Sequence, residues 1–286
     1  MTHTDQLHRY LFDNYQVRGE LVQLADSYQQ ILSAQDYPQP IKRLLGELLT
    51  ATSLLTATIK FEGHITVQLQ GDGPVSLAVI NGDNHQQLRG VARWEGELPD
   101  SASLGDLVGT GYIAITITPN EGERYQGIVE LSENSLSESL ESYFAQSEQL
   151  KTRIWLFTDL EGTAPRCAGL LLQALPGGEA EDYSHLEALT HTIKAEELLN
   201  LDAHEVLYRL YNQEAVRVFD PQPVSFQCTC SREKCEQALL QVGEQEAQEV
   251  LKEQGEIVMN CDYCGNNYRF NETDLQTIFS SPDTLH

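Results

Sequence analysis

The chain has 286 residues, of which 41% are hydrophobic and 8% aromatic, enough to fill a globular core. Forty-three acidic against eighteen basic side chains give a formal charge of −25. Such a field repels phosphate backbones and anionic lipid headgroups, so neither nucleic acid nor a membrane surface is expected as a partner.

The opening stretch, MTHTDQLHRYLFDNYQ, lacks a basic segment followed by an apolar one, and no run of about 18 apolar residues occurs anywhere. A cytoplasmic protein is expected. In that compartment thiols stay reduced, so clustered cysteines point to metal ligands or redox sensors rather than structural disulfides.

From Val17 to about Leu175, strand and helix signals alternate. VRGELVQL and HITVQLQGDGPVSLAVIN carry the period-two pattern of half-buried strands, with Gly71 to Pro74 as a hairpin turn. Ile41, Leu44, Leu45, Leu48, Leu49 and Ala51 recur at helical spacing after Pro40, which suits a first turn, and predict a helix packed on a sheet face. GYIAITITPNEGERYQGIVEL repeats the hairpin with its turn at Pro119 to Gly122. A further amphipathic helix starts at Ser135 with Ser/Glu capping chemistry, and RCAGLLLQALP predicts a buried strand closed by Pro176. Antiparallel hairpins with a few packed helices make an α+β core domain, residues 1–177.

The break PGGEAED introduces a helical connecting segment, 178–223. Leu186, Leu189, Ile193, Leu198 and Leu199, then Val206, Leu207 and Leu210, form apolar stripes on an acidic background. Such helices need a surface to lie on. Two behaviours fit them: permanent packing, or low-stability docking that can be released. A second break, FDPQPVSFQ, carries two prolines and leads into a C-terminal segment, 224–286.

Five of the six cysteines fall in that last segment. Cys228 and Cys230 form a C-x-C and Cys261 and Cys264 a C-x-x-C, the second pair framed by the strands EIVM and NYRF. Two short-range pairs can bring four thiolates to one tetrahedral centre at low loop-closure cost. Gly265 suits a tight turn in which backbone donors face sulfur. No histidine lies between Cys228 and Cys264, so the expected ligands are Cys228, Cys230, Cys261 and Cys264 and the expected ion is zinc, with an iron–sulfur cluster as the alternative. The apolar residues of this segment, among them Val224, Phe226, Leu239, Leu240, Ile257 and Ile278, are too few for a comfortable independent core. A static zinc clip and a redox switch both fit. The single residue between Cys228 and Cys230 permits a strained, easily reduced small-ring disulfide. Cys235 fits neither pair and is expected to be a bystander; Cys167, inside CAGLLLQ, is expected to be a core cysteine.

Three rival functions have weaker support. GTGY runs into a strand rather than opening a helix, which removes a phosphate site, and neither a Walker A sequence nor a G-x-S-x-G elbow occurs. A thiol oxidoreductase could use Cys261 and Cys264 but lacks the βαβ setting. A static zinc-ribbon adaptor would draw on a few local cations, Arg232, Lys234 and Arg269, against the overall negative charge.

Taken together, CTCSREKC, GEIVMNCDYCGNNYRFN, YQGIVEL and GDGP resemble the 33 kDa heat-shock chaperone family, the redox-regulated bacterial chaperonins unrelated to the ring-shaped ones. The resemblance spans almost the whole chain, with no departure at the four ligand positions. It implies one zinc ion on the reduced cysteines, and oxidation to two disulfides, Cys228 with Cys230 and Cys261 with Cys264. It further implies zinc loss, disorder of the C-terminal segment and connector, dimerisation, and ATP-independent holding of unfolded client proteins under oxidative and heat stress. No enzymatic activity is implied.

Overall fold

The computed structural model describes residues 4–59, 61–132, 135–162 and 164–280. The first three residues of the core segment and the last six of the C-terminal segment expected from sequence lie outside these. The chain divides into two units, Met1–Leu32 with Asp36–Gln227, and Ser33–Gln35 with Cys228–His286.

The first unit opens with β1 (Gln6–Phe12), β2 (Val17–Leu24), α1 (Asp26–Leu32) and α2 (Gln39–Thr58). There follow β3 (Gly63–Gly71), β4 (Val75–Asp83), β5 (Gln87–Trp94), α3 (Leu104–Val108), β6 (Gly111–Pro119) and β7 (Tyr125–Glu130). Then come α4 (Leu136–Tyr143) with a π-helical turn after it, β8 (Thr152–Asp159) and β9 (Arg166–Ala174). Three helices, α5 (Ala180–Thr190), α6 (Ala195–Asn200) and α7 (Ala203–Tyr211), precede the short strands β10 (Val216–Val218), β11 (Gln222–Pro223) and β12 (Ser225–Phe226).

Two sheets result, ordered β10-β1-β2-β9-β8, with β11 also on β1, and β12-β5-β4-β3-β6-β7. All pairings are antiparallel except β12 with β5. The α+β architecture expected from the hairpins is the one observed.

Helix α2 lies between the sheets rather than on one face. Its Ile41, Leu45, Leu48, Leu49 and Leu55 share one apolar cluster with Val22, Leu24 and Leu171 of the first sheet and with Ile65, Val67 and Ile80 of the second. A helix enclosed on all sides must satisfy its own polar side chains. Thr50, Thr52, Thr56 and Thr58 do so by donating to the carbonyls of Gly46, Leu48, Thr52 and Leu54 at 2.6–2.8 Å.

The first sheet is covered on both faces, which corrects the expectation that VRGELVQL is a half-buried strand. Val22 and Leu24 face α2, whereas Val17 and Leu21 meet Leu170 and Leu172 of β9 in a second cluster roofed by Leu186, Leu198, Val206, Leu207 and Leu210 of α5–α7. That roof is also hydrogen-bonded: the Gln23 side chain donates to the carbonyls of Leu198 and Leu201 at 2.6 and 2.8 Å. Val224 and Phe226, counted by sequence with the C-terminal segment, belong to the first unit, Val224 within its core and Phe226 on β12 beside β5.

The second unit holds α8 (Arg232–Val242), α9 (Glu244–Gln254), β13 (Ile257–Asn260), β14 (Asn267–Phe270) and α10 (Glu272–Ser280). Ser231 caps α8 by accepting from the Lys234 N–H. Only Leu239, Ala247, Ile257, Phe270, Leu275 and Ile278 form its buried apolar cluster among the described residues. Arg232 lies 4.4 Å over the Phe270 ring and pairs with Asp274 at 2.7 Å.

Within the first unit, Glu20 is buried on β2 and accepts a 2.9 Å hydrogen bond from Thr58. Burial pushes its carboxyl up to about 7, against the pull of Arg18 and Thr58. A carboxyl raised on folding stabilises the fold when protonated, and that contribution is lost as pH rises from the unfolded value of 4.5 through about 7. Glu20→Gln is therefore expected to raise the unfolding free energy of the first unit above pH 7 by up to about 3 kcal/mol. Denaturant melts of parent and variant at pH 5 and pH 8 check this; an equal offset at both values would assign the effect elsewhere.

Candidate metal centre

Each half of the cysteine cluster is placed by local backbone rules. Cys228 and Cys230 sit on the extended stretch that ends at the Ser231 cap of α8. Cys261 and Cys264 occupy the turn between β13 and β14, which the ladder Ile257↔Phe270 to Asn260↔Asn267 holds in register. The turn closes through Cys261 N–H to Asn266 O at 2.9 Å and Gly265 N–H to Cys261 O at 2.8 Å. Gly265 has φ +72°, where a side chain would be strained. Its own N–H thus serves the turn, and the backbone donors that face sulfur are Cys230 N–H toward Cys228 and Asn266 N–H toward Cys264.

The structure brings together all four predicted residues. Their sulfurs lie within 4.8 Å of one another. The Sγ separations are 3.6 Å for Cys228 to Cys261 and 3.4 Å for Cys230 to Cys264, and all four are free thiols. Sulfurs bonded at about 2.3 Å around a tetrahedral ion would stand about 3.8 Å apart, so the spacing fits four thiolates around one ion. Among the described residues no histidine or carboxylate joins the group. A complete set of four soft ligands leaves no open position, which suits structural rather than catalytic metal chemistry.

Charge within the cluster is uneven. Burial pushes the Cys228 and Cys264 thiols up. At Cys230 burial acts in the same sense, but donation from Tyr268 and from the three neighbouring thiols outweighs it and brings the thiol down to about 7. The Tyr268 hydroxyl donates to Cys230 Sγ at 3.1 Å. Donors thus converge on the Cys230 sulfur, while burial disfavours ionisation of Cys228 and Cys264. Ionising all four calls for a cation among them.

Tyr268 is the site residue that sequence reasoning missed. The signal was available: Phe270 is an obvious core residue, and Tyr268, two positions earlier on the same strand, must share its face. Cys235, on α8, packs against the module's small core outside the four-sulfur group, its thiol raised by burial and by Cys230 and Cys261. Cys167 is a core residue of the first unit, pushed up to about 12 by burial.

Comparison with known proteins bears on the chain as a whole. Residues 5–271 match the family model described as Hsp33 protein. A "33 kDa chaperonin" of Aeromonas salmonicida is 59% identical over 287 residues, covering 99% of this chain and 98% of the relative. One of Escherichia coli is 59% identical over 281 residues, covering 97% and 96%. In fold, the crystal structure of the 33 kDa chaperonin (Hsp33 homolog) from Thermotoga maritima matches with a TM-score of 0.84 at 21% identity, covering 96% of this chain and 97% of that one.

The reduced chain is expected to take up one thiophilic divalent ion, and Cys261→Ser to abolish stoichiometric uptake. Tyr268→Phe, which leaves the four sulfurs and removes only the donor to Cys230, should weaken affinity by roughly 10–100-fold, the usual effect of losing an outer-shell partner. Competition against a chromogenic chelator reads both. Unchanged metal content in Cys261→Ser would remove that residue from the ligand set.

Proposed function

The chain belongs to the Hsp33 family, and from that premise we propose that it is a redox-regulated, ATP-independent chaperone of the cytoplasm that holds unfolded proteins under oxidative and heat stress. The observation that carries the proposal is the combination of four clustered thiols with a module whose buried apolar cluster, among the described residues, is six residues. So small a core supplies little stability by itself. A zinc ion held by Cys228, Cys230, Cys261 and Cys264 would keep all four sulfurs as thiolates and contribute on the order of 10 kcal/mol to folding of the module.

An oxidant such as peroxide or hypochlorous acid removes those thiolates. With peroxide, one thiol of a pair attacks the O–O bond to give a sulfenic acid and water. The second thiol displaces a further water and closes the disulfide, so each pair loses two protons and two electrons. We assign the pairs as Cys228 with Cys230 and Cys261 with Cys264, because each remains tethered by sequence once the module loosens. In the folded thiol form the sulfur contacts at 3.6 and 3.4 Å join one cysteine of each pair to one of the other, so this pairing presupposes loosening.

The proposal extends to segment 178–223 as the cover that is released. Helices α5, α6 and α7 have 11, 6 and 9 residues. Isolated helices shorter than about 12–15 residues are marginal in water, so these persist through packing on the first sheet. Their departure would expose Tyr10, Phe12, Leu21, Leu170 and Leu172, an apolar face able to hold clients or to pair with a second oxidised chain. The acidic surface keeps the opened form dispersed.

Three of the module's cations are already engaged, which disfavours a nucleic-acid adaptor role: Arg232 pairs with Glu236 and Asp274, Arg269 with Glu256, and Lys234 donates to Thr229 O. Among the described residues no helix is long and apolar enough to cross a membrane.

Peroxide at mild heat is expected to release zinc to a chelating dye and, without nucleotide, to suppress light scattering from a heat-unfolding client. Zinc release with clients still aggregating as fast as in buffer would sink the proposal. Leu186→Ala removes a fully buried contact of α5, costing about 2–5 kcal/mol of packing. It should lower the oxidant dose needed for holding, read by the same scattering assay.

A further inference from the structure

The second sheet ends in two unlike ways. On one side β12 is a two-residue strand, the usual short, blunted edge. On the other, β7 runs for six residues in unbroken register with β6 and contains neither lysine nor proline. Leu131 N–H donates to Gly111 O, so strand alternation turns Val129, Gly127 and Tyr125 toward β6. The N–H and C=O groups of Gln126, Ile128 and Glu130 therefore point outward from the edge. Ile128 is 63% exposed and Tyr125 43%. Beneath the strand, Tyr143 fills the space over Gly127 and keeps β7 firmly seated.

A cleft opens at each end of this strand. At the Tyr125 end one of about 810 Å³ has apolar walls that include Phe61, Ile117, Tyr125 and Phe144. Among the described residues four carboxylates, Glu62, Glu121, Glu123 and Glu148, line the same cleft against one cation, Arg18, whose guanidinium is already engaged by Gln173 and Thr58 O. At the Ile128 end the lining includes Asp72, Asp106 and Glu130, with no basic residue among the described ones.

We propose that the outer edge of β7 is a docking site for an extended, cationic and aliphatic segment of a non-native polypeptide, which adds as a further strand and places side chains in the acidic clefts at either end. The proposal rests on the chaperone reading for its class of partner and names the surface that makes contact. Strand addition supplies sequence-independent backbone hydrogen bonds, and clefts select alternate side chains. Charge favours this occupant over a second copy: two β7 edges brought together would align their own carboxylates, on chains each carrying −25. The edge is exposed with all six cysteines as free thiols, so its access requires no disulfide.

The test uses the full reduced chain and two fluorescein-labelled decapeptides, one alternating valine with lysine and one alternating valine with glutamate. The lysine peptide should bind at least about tenfold more tightly at low salt, with the gap closing as salt rises. Amide hydrogen exchange at Gln126, Ile128 and Glu130 should slow on binding. Ile128→Pro removes an outward N–H while sparing the β6–β7 ladder, an edge position where proline is tolerated, and should weaken binding about tenfold or more. Should that variant lose its far-UV circular dichroism, the doubly substituted Glu121→Lys, Glu123→Lys chain serves instead and should lose the preference for lysine.

Equal binding of the two peptides, or unchanged exchange at the three amides with peptide bound, overturns the proposal. So does slow exchange there without peptide in a chain that sediments as a dimer, which would give the edge to a second copy. An oxidised chain that suppresses client scattering while Ile128→Pro does so equally well removes the edge and leaves the chaperone standing. A chain that binds the lysine peptide at β7 but never suppresses scattering does the reverse.

Discussion

Four sulfurs within 4.8 Å of one another cannot all ionise without a cation between them, and the second unit has little else to hold it together. At about 4 Å each pair of thiolates would repel by roughly 1–4 kcal/mol, depending on how much water screens them. With the cysteines as free thiols, donors converge on Cys230, the Tyr268 hydroxyl among them, and ease ionisation of that one sulfur. A divalent ion resolves it differently, by converting the repulsion of four thiolates into four bonds. Oxidation removes the negative charge altogether. The same atoms thus admit three arrangements, and the module that carries them has six buried apolar residues among those described.

The first unit is built on the opposite principle. Its core is a helix enclosed between two sheets, with hydroxyls back-bonded to the helix and with Ser53 and Gln86 satisfying each other in the interior. Nothing in that core requires an ion or a redox state. Between these extremes stands the second apolar cluster, where three short acidic helices roof the outer face of the first sheet. Its buried residues are separate from the cluster that encloses α2. The proposed release of the connector helices would draw on such a gradation of stability.

Legibility in the sequence followed burial. The hairpins with turns at Gly71 to Pro74 and Pro119 to Gly122 were readable, because β3 alternates buried with less buried positions and β6, though buried from Ile113 to Ile117, still alternates isoleucine with the smaller Ala114 and Thr116. Strands β1 and β8 were not. Leu7 of β1 faces one cluster while Tyr10 and Phe12 face the other, which leaves QLHRYLF without a period. β5 was hidden for a different reason: Gly90 and Ala92 occupy inward positions where a larger group would collide or crowd, and small residues carry no hydrophobic signal. β10, β11 and β12 were invisible because two or three residues between prolines pair only where a neighbouring strand offers an edge.

The cysteine cluster could be predicted residue by residue because metal-site chemistry is written in local spacing: a C-x-C and a C-x-x-C restrict their sulfurs to short arcs, whatever surrounds them. Helical stripes and turn positions were equally local. What folding alone decided were relations between distant segments. It placed α2 between two sheets, gave the connector helices a sheet face to cover, set the Tyr268 hydroxyl against Cys230, and left β7 at an edge with acidic clefts at both ends. None of these is a property of any short stretch of residues. Each depends on which surfaces remain after the others have been buried.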